Sequence, residues 1–239
     1  MVFSRLRQLC FAFAYYGSVC WFGLTGALLF WLPYHYRSRY ITLWNRFVVC
    51  AARKLLKISV RLEGAENIPD RACVIMSKHQ SAWETFYLQT VFSPLCTILK
   101  RELLRIPFFG WALWALEPIA IDRGSPKQAL RQLQTLGLKR LAQGRSVLIF
   151  PEGTRLAPGQ RGRYARGGAD LALAAGAPIV PVAHNAGVFW SSDGKTRRAG
   201  EMVFIVGEAI EPAEKSARQL TAEVEHWVET ESMQLLPQR

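Results

Sequence analysis

"ACVIMSKHQSAWETFYLQ", residues 72–89, joins two different sequence patterns. The apolar run at 73–77 is typical of a buried strand, and the amphipathic run that follows it is typical of a helix. Their junction therefore predicts a strand-to-helix turn, where side chains converge at the end of a sheet. His79 lies in this turn, five residues before Glu84.

The rest of the chain continues this alternation of strands and helices. Further short apolar runs predict strands at 60–63, 96–99, 118–121, 146–150, 178–182 and 202–206. Helical patterns lie at 126–143, 168–175 and 213–235. This order predicts an α/β fold with a mixed, mainly parallel sheet flanked by helices. We assign it to residues 59–239, which are enough for one sizeable core.

The N-terminal segment has a different composition. Residues 9–32 form a run of 24 residues without a charge, and about 20 apolar residues can cross a bilayer as a helix. A cleaved signal peptide would have a shorter apolar core and a small-residue cleavage site. A buried helix of a soluble protein is seldom apolar on all sides. We therefore expect membrane insertion, either as a span or as a hairpin with residues 36–57 in one leaflet.

Much of the net charge of +12 lies in the same segment. Residues 1–58 hold eight Lys and Arg and no Asp or Glu. An apolar stripe at helical spacing is interleaved with them: Ile41, Trp44, Val48, Ala51 and Leu55. The pattern predicts a basic amphipathic helix on an anionic membrane surface, with packing on the globular domain as the alternative. An uncharged apolar span beside the basic residues argues against nucleic acid as a partner. We assign residues 1–58 to N-terminal membrane-anchoring helices.

The cysteines and the remaining histidines give no sign of a metal site. The five cysteines form no C-x-x-C pair, so neither a zinc site nor a disulfide framework is predicted. We expect buried, reduced thiols, which fit a cytoplasmic catalytic domain. The histidines other than His79 are scattered along the chain, and we interpret them as structural: His35, His184 and His226.

The His79 and Glu84 pair is the first candidate for chemistry. If His79 lies on the turn and Glu84 in the first helical turn, the carboxylate can accept a hydrogen bond from one imidazole nitrogen. The other nitrogen is then free to accept a substrate proton. The spacing alone is common by chance, so it does not distinguish a catalytic pair from a core histidine beside a helix start.

Three further stretches change the interpretation of this pair. They are "LKRELLRIPFFGW" (99–111), "IFPEGTR" (149–155) and "APIVPV" (177–182). In this order, and together with the His79 stretch, they resemble the glycerophospholipid acyltransferase family over about residues 60–210. The chain departs from the usual family pattern in two places, with Glu84 where aspartate is usual and Lys78 where asparagine is common.

The resemblance implies an O-acyltransferase. Such an enzyme moves a fatty acyl group from acyl-CoA or acyl carrier protein to the 2-hydroxyl of 1-acylglycerol 3-phosphate, a membrane lipid, and forms phosphatidate. His79 would be the general base and Glu84 would orient it, with no metal and no bound organic cofactor. The expected location is the cytoplasmic side of a bacterial inner membrane. Related acceptors, glycerol 3-phosphate or a lyso-ornithine lipid, are the nearest alternative. A catalytically silent adaptor on anionic membranes is another, which the intact pair argues against.

The resemblance also implies which residues bind the acceptor phosphate. Lys100 and Arg155 are the matched cations, with Gly153 and Thr154 able to offer backbone or hydroxyl contacts. Without the resemblance, Lys100 would be interpreted as a solvated lysine and Arg155 as half of a salt bridge. Glu152 is expected to support Arg155 or the turn. Weaker cationic candidates are Arg101, Arg105 and Arg123.

Two loops between these stretches have less specific interpretations. The apolar segment 103–111 could line the path of an acyl chain or dip into the membrane, with core packing as the alternative. The arginine-rich loop 161–168 superficially resembles an RNA-binding segment. Its position between the family stretches favours a basic loop on the substrate side.

Overall fold

A seven-stranded sheet forms the centre of the protein, which the computed structural model describes over residues 2–122 and 124–237. The strands are β1 (Ile58–Glu63), β2 (Val74–Ser77), β3 (Leu95–Lys100), β4 (Ile119–Ile121), β5 (Ser146–Ile149), β6 (Ile179–His184) and β7 (Gly200–Val206). Their order across the sheet is β1-β7-β6-β2-β5-β3-β4. The β6–β7 pair is antiparallel and all other pairs are parallel. The predicted mixed, mainly parallel sheet is therefore confirmed, with strand ends shifted by at most two residues.

Eight α-helices surround the sheet in the described part of the chain. They are α1 (Val2–Leu28), α2 (Tyr34–Ala51), α3 (Trp83–Val91), α4 (Phe109–Ala115), α5 (Pro126–Ala142), α6 (Gly167–Ala175), α7 (Ala186–Phe189) and α8 (Ala217–Gln234). The last helix begins four residues later than predicted. The side chain of Ser216 accepts from the main-chain N–H of Gln219 and forms a capping box there, which fixes the start of α8.

The sheet has an apolar core on each face. Successive side chains of a strand point to opposite faces, so Ile75 packs on one side with Trp44 and Trp83, from α2 and the start of α3. On the other side, Met76 packs with Leu171 and Val224, from α6 and α8. Because both faces are covered, the central strands β2 and β5 are apolar except for one serine at an end of each.

The helix α1 packs lengthwise on the rest of the molecule. Phe11 is 1% exposed and belongs to the same core cluster as Trp44. Twelve residues later, a Cβ atom on Gly23 would lie 2.3 Å from the carbonyl oxygen of Phe108, so this close approach requires glycine. Helices α1 and α2 are also joined by a hydrogen bond of 3.0 Å from Nε1 of Trp44 to Oγ of Ser18.

The uncharged run 9–32 does not form one continuous helix. The helix α1 ends at Leu28, the turn 29–32 follows, and α2 begins directly after Pro33. Residues 5–28 are long and apolar enough to cross a membrane, with a mean hydropathy of 1.3. The division of the chain at residue 58 stays a prediction.

The predicted apolar stripe of α2 packs on the globular domain, because Ile41, Trp44 and Val48 are at most 6% exposed. The opposite, outer side of the N-terminal helices is exposed and rich in apolar side chains. It continues onto α4 and carries large side chains, among them Phe13, Tyr16, Trp21, Leu43, Phe47, Trp111 and Trp114. Three of the five free cysteines are exposed on α1 and α2 (Cys10, Cys20 and Cys50). The prediction of buried thiols is therefore wrong for these three and holds for Cys73 and Cys96. The apolar sequence around the exposed cysteines supplies an outer surface as well as a core.

The parallel order brings three strand ends to one edge of the sheet. β2 lies beside β5, and β5 lies beside β3, all pointing in the same direction. The segments that leave their carboxyl ends contain His79, the turn 150–155 and the arginines 101 and 105. This edge is where ligands bind in open α/β sheets.

Candidate active site

The strand-to-helix turn brings His79 and Glu84 into contact. His79 lies two residues after β2, and Glu84 is the second residue of α3. Nδ1 of His79 is 2.8 Å from Oε1 of Glu84, and the glutamate side chain is fully buried. The glutamate side chain, which is one methylene group longer than aspartate, therefore reaches His79 in this turn.

The carboxylate of Glu84 is held by the turn that carries the histidine. Its Oε1 accepts the main-chain N–H groups of Gln80 and Ser81, both at 2.8 Å, and its Oε2 accepts the hydroxyl of Ser81 at 3.0 Å. Burial raises the pKa of Glu84, but the hydrogen bond from His79 and the nearby histidines outweigh it, and the pKa falls to about 2. Glu84 is therefore an anion at neutral pH.

An ionised Glu84 determines the tautomer of His79. A carboxylate can only accept, so Nδ1 of the imidazole must carry the proton that it donates. The remaining nitrogen, Nε2, then carries the lone pair. The ring also stacks on Phe150, with ring centroids 4.0 Å apart and planes 14° apart. These contacts fix the orientation of the ring and leave Nε2 able to accept a proton.

Glu152 contacts the turn that carries His79. Its Oε2 accepts the main-chain N–H of His79 at 2.8 Å, and its Oε1 lies 2.7 Å from Nζ of Lys78. On the other side of the turn, the main-chain N–H of Leu156 donates to the carbonyl of His79 at 2.9 Å. Of the two roles predicted for Glu152, the geometry fits support of the turn.

Two residues near His79 have contacts that the sequence did not reveal. Lys78 is only 1% exposed, although it is a lysine. Its carbonyl lies 2.8 Å from Nε2 of His184, whose Nδ1 accepts from the main-chain N–H of Ala186. Burial lowers the pKa of His184, so this ring is neutral and donates from Nε2. The structural interpretation of His184 thus fits its contacts, which include the turn that carries His79.

The predicted cations lie around the same opening as His79. Lys100 ends β3, and Thr154 and Arg155 lie in the turn after β5; all three line one cavity with His79. Nη1 of Arg155 donates to the carbonyl of Ser192 at 3.0 Å. This contact with a neutral carbonyl differs from the salt bridge considered as the alternative.

The other predicted binding residues have different positions. Gly153 is exposed with a φ of 69° and shapes the turn that presents Thr154 and Arg155. Arg101 and Arg105 lie in the exposed turn after β3, outside the lining of the cavity. Arg123 lies outside the described residues.

The cavity extends from His79 into the space between the N-terminal helices and the domain. Its volume is about 470 Å³, and its walls come from α1, α2, α3, β3 and α4. Apolar side chains dominate these walls, among them Val19, Phe22, Phe86, Leu103, Phe109 and Leu113. Part of the predicted segment 103–111 thus lines an apolar cavity that His79, Lys100 and Arg155 also line.

Comparison with known proteins identifies the family. A family model described as Acyltransferase matches residues 59–185, more than half of the chain. The chain belongs to the acyltransferase family. The match begins in β1 and ends just after β6, so it contains every predicted site residue.

Individual relatives agree with this membership. Over 210 residues the chain is 46% identical to the 1-acyl-sn-glycerol-3-phosphate acyltransferase of Pseudomonas aeruginosa, covering 86% of this chain and 82% of that protein. It is 34% identical over 130 residues to the protein of the same name from Borreliella burgdorferi, covering 54% of this chain and 52% of that one.

A solved structure has the same fold as this acyltransferase. It is the crystal structure of the 1-acyl-sn-glycerophosphate acyltransferase PlsC from Thermotoga maritima, which superposes with a TM-score of 0.80. The alignment covers 98% of both chains at 23% sequence identity. The shared fold includes the N-terminal helices.

Proposed function

We propose that this acyltransferase moves a fatty acyl group to the 2-hydroxyl of 1-acylglycerol 3-phosphate and forms phosphatidate. The observation that carries the proposal is the oriented His79–Glu84 pair at the mouth of an apolar cavity that also has Lys100 and Arg155. Relatives with the same printed activity support it, including the one from Pseudomonas aeruginosa at 46% identity.

His79 is the general base in this proposal, and Glu84 orients it. Nε2 of His79 removes the proton from the 2-hydroxyl while the anion of Glu84 stabilises the imidazolium that forms. The hydroxyl oxygen attacks the thioester carbonyl carbon, and a tetrahedral oxyanion results. When it collapses, the carbon–sulfur bond breaks, and the thiolate takes the proton from the imidazolium and leaves as a thiol.

The scheme uses only the two substrates and protein side chains. A thioester already carries a good leaving group, so activation of the alcohol is sufficient and no covalent enzyme intermediate is needed. The donor is acyl-CoA or acyl carrier protein, bound as a substrate. No metal ion or bound organic cofactor takes part in these steps.

Lys100, Arg155 and Thr154 bind the acceptor phosphate in this proposal. Arginine offers a planar pair of donors and lysine a compact charge, and both suit a phosphate group. Arg155 is exposed and its Nη1 contacts only a neutral carbonyl at Ser192, so its charge is not cancelled by that contact. Gly153 gives the turn after β5 a left-handed backbone position next to Thr154 and Arg155.

The apolar cavity receives an acyl chain. Its volume of about 470 Å³ lies within the range of about 300–1,000 Å³ that is common for small-molecule sites. Each buried methylene group contributes roughly 0.8 kcal/mol to binding. The α1 helix forms one wall through Tyr15, Val19 and Phe22, so the N-terminal segment is part of the binding site as well as an anchor.

We also propose that residues 1–58 anchor the catalytic domain 59–239 in one leaflet. Between Phe11 and Gly23, about 18 Å of α1 stays in contact with the domain. A helix that crosses the bilayer would have to leave these contacts. The exposed apolar face and the basic residues of the segment instead suit an anionic surface. This surface is the cytoplasmic side of a bacterial inner membrane.

An acceptor panel tests the proposed function. Purified protein is given labelled acyl-CoA or acyl carrier protein with 1-acylglycerol 3-phosphate, glycerol 3-phosphate or a lyso-ornithine lipid. We expect transfer to 1-acylglycerol 3-phosphate with the highest kcat/KM. Preference for another acceptor would overturn the proposed substrate, and transfer to none of them would support a non-catalytic adaptor.

A further inference from the structure

A buried ion triplet lies directly behind the catalytic turn. Nζ of Lys78 is 2.7 Å from Oε1 of Glu152 and 2.7 Å from Oε1 of Glu229, and the three side chains are at most 5% exposed. Nζ also donates to the carbonyl of Gln160 at 2.9 Å, and the hydroxyl of Tyr164 donates to Glu229 at 3.0 Å. We call Lys78, Glu152 and Glu229 the Lys78 triplet.

Stability alone is a weak reason for such an arrangement. Removing three charges from water costs several kcal/mol for each ion, and apolar side chains of similar volume often stabilise a protein as well or better. Buried ion clusters of this kind can instead specify one conformation among several. The conformation that the triplet specifies therefore involves the groups that the triplet contacts.

The triplet contacts the main chain of the base itself. Lys78 precedes His79, and Glu152 accepts the main-chain N–H of His79 through the oxygen that does not contact Lys78. The carbonyl of Lys78 accepts from His184 on β6. Glu229 lies on α8, the last helix, 151 residues after Lys78 in the sequence. Its contact with Lys78 joins α8 to this network. Any shift of Lys78 therefore moves His79 relative to Glu84 and the cavity.

We propose that the Lys78 triplet positions the His79 base, and that Glu229 is the positioning residue through which α8 holds the catalytic turn. The proposal rests on the role of His79 in the proposed function. Lys78 and Glu152 act through the main chain, while Glu229 and Tyr164 hold Lys78 from the other side. Because Glu229 lies outside the residues 59–185 matched by the family model, this contribution comes from the C-terminal helix of this chain.

The variant Glu229→Gln tests the proposal without a change of volume. It leaves Lys78 with a single carboxylate, so the ammonium group and the turn shift toward Glu152. Misplacement of a reacting group by about 1 Å can cost about 100-fold in rate, so we expect kcat to fall by about 10-fold or more. The KM values of donor and acceptor should change little, because the cavity and cations are untouched.

A second readout follows His79 directly. In protein labelled at its histidines and solubilised in detergent, the imidazole resonance of His79 is identified by its loss in His79→Ala. We expect Glu229→Gln to shift this resonance. The matched control is Glu223→Gln on the same helix, which breaks only an exposed ion pair with Lys215 and should leave both kcat and the resonance unchanged.

The milder variant Tyr164→Phe keeps the test decisive if Glu229→Gln does not fold. It removes the hydroxyl that donates to Glu229, and we expect a smaller change of the same kind in kcat and in the resonance. An unmoved His79 resonance in the folded variants would overturn the proposal, even if kcat falls. If wild-type protein did not acylate 1-acylglycerol 3-phosphate, the proposed function would fail, while the resonance would still decide the positioning role.

Discussion

Oε1 of Glu84 accepts three hydrogen bonds at once, and the one from Nδ1 of His79 is 2.8 Å long. The same oxygen thus holds the main chain of the turn and the ring of His79. The resemblance led us to expect aspartate at this position, and this contact shows that a glutamate also reaches the ring of His79. The extra methylene group is accommodated because Glu84 lies in the first turn of α3 and reaches back over Ser81.

The first prediction concerns the length and charge of this side chain. Glu84→Gln removes the charge that stabilises the imidazolium, so we expect kcat to fall by about 100-fold or more, with little change in KM. Glu84→Asp withdraws the carboxylate by one methylene group, so we expect an intermediate loss. Steady-state kinetics measure both, with the exposed Glu208→Gln as the control. Wild-type kcat in Glu84→Asp would contradict the importance of this reach.

The second prediction concerns stability in acid. The pKa of Glu84 is lowered from 4.5 to about 2 in the folded protein, so its ionised form stabilises the fold above the unfolded pKa. This stabilisation, on the order of 3 kcal/mol, is lost as the pH falls from about 5 to about 2. Denaturant titrations at several pH values should give a steeper decline for wild-type protein than for Glu84→Gln. Parallel curves would show that Glu84 is not ionised with this low pKa.

The third prediction concerns the acceptor phosphate. A hydrogen bond to a charged group is worth about 1.5–3 kcal/mol, so Lys100→Ala and Arg155→Ala should each raise the KM for 1-acylglycerol 3-phosphate by about 10-fold or more. The effect on kcat should be smaller. Arg71→Ala is the control, because Arg71 pairs with Glu211 at an exposed site. An unchanged acceptor KM in both variants would exclude direct phosphate contact.

The fourth prediction concerns the apolar cavity. Ala112 lines it from α4, so a phenylalanine at this position would occupy space needed by a long acyl chain. We expect Ala112→Phe to lower kcat/KM for substrates with long chains much more than for those with short chains. A chain-length series measures the difference, with Ala222→Phe on the exposed side of α8 as the control. Equal losses at all lengths would argue that the chain lies elsewhere.

Local patterns predicted most of the fold and the contact between His79 and Glu84. The strand 73–77 and the helical pattern after it located the turn, and a turn of only a few residues limits how far His79 and Glu84 can separate. Parallel strands then bring Lys100 and Arg155 to the same edge, because their segments follow β3 and β5. These inferences depend on periodicity and on short distances along the chain.

Contacts between distant segments could not be predicted in the same way. In the sequence, Lys78 resembles an ordinary polar residue of a turn. Its burial depends on the contact with Glu229, which lies 151 residues away. The packing of Phe11 against Trp190 similarly joins α1 to a distant loop. Sequence periodicity does not predict such pairs, because each residue taken alone is compatible with an exposed position as well as with a buried one.

The rate of acyl transfer by His79→Ala tests the proposed base most directly. In a single-turnover experiment with labelled acyl donor and 1-acylglycerol 3-phosphate in vesicles, we predict that formation of phosphatidate slows by about 100-fold or more. Circular dichroism and sedimentation with vesicles should remain as in wild-type protein, since His79 contributes neither to the apolar outer face nor to the large core side chains. Transfer at the wild-type rate by this variant would contradict the assignment of His79 as the base.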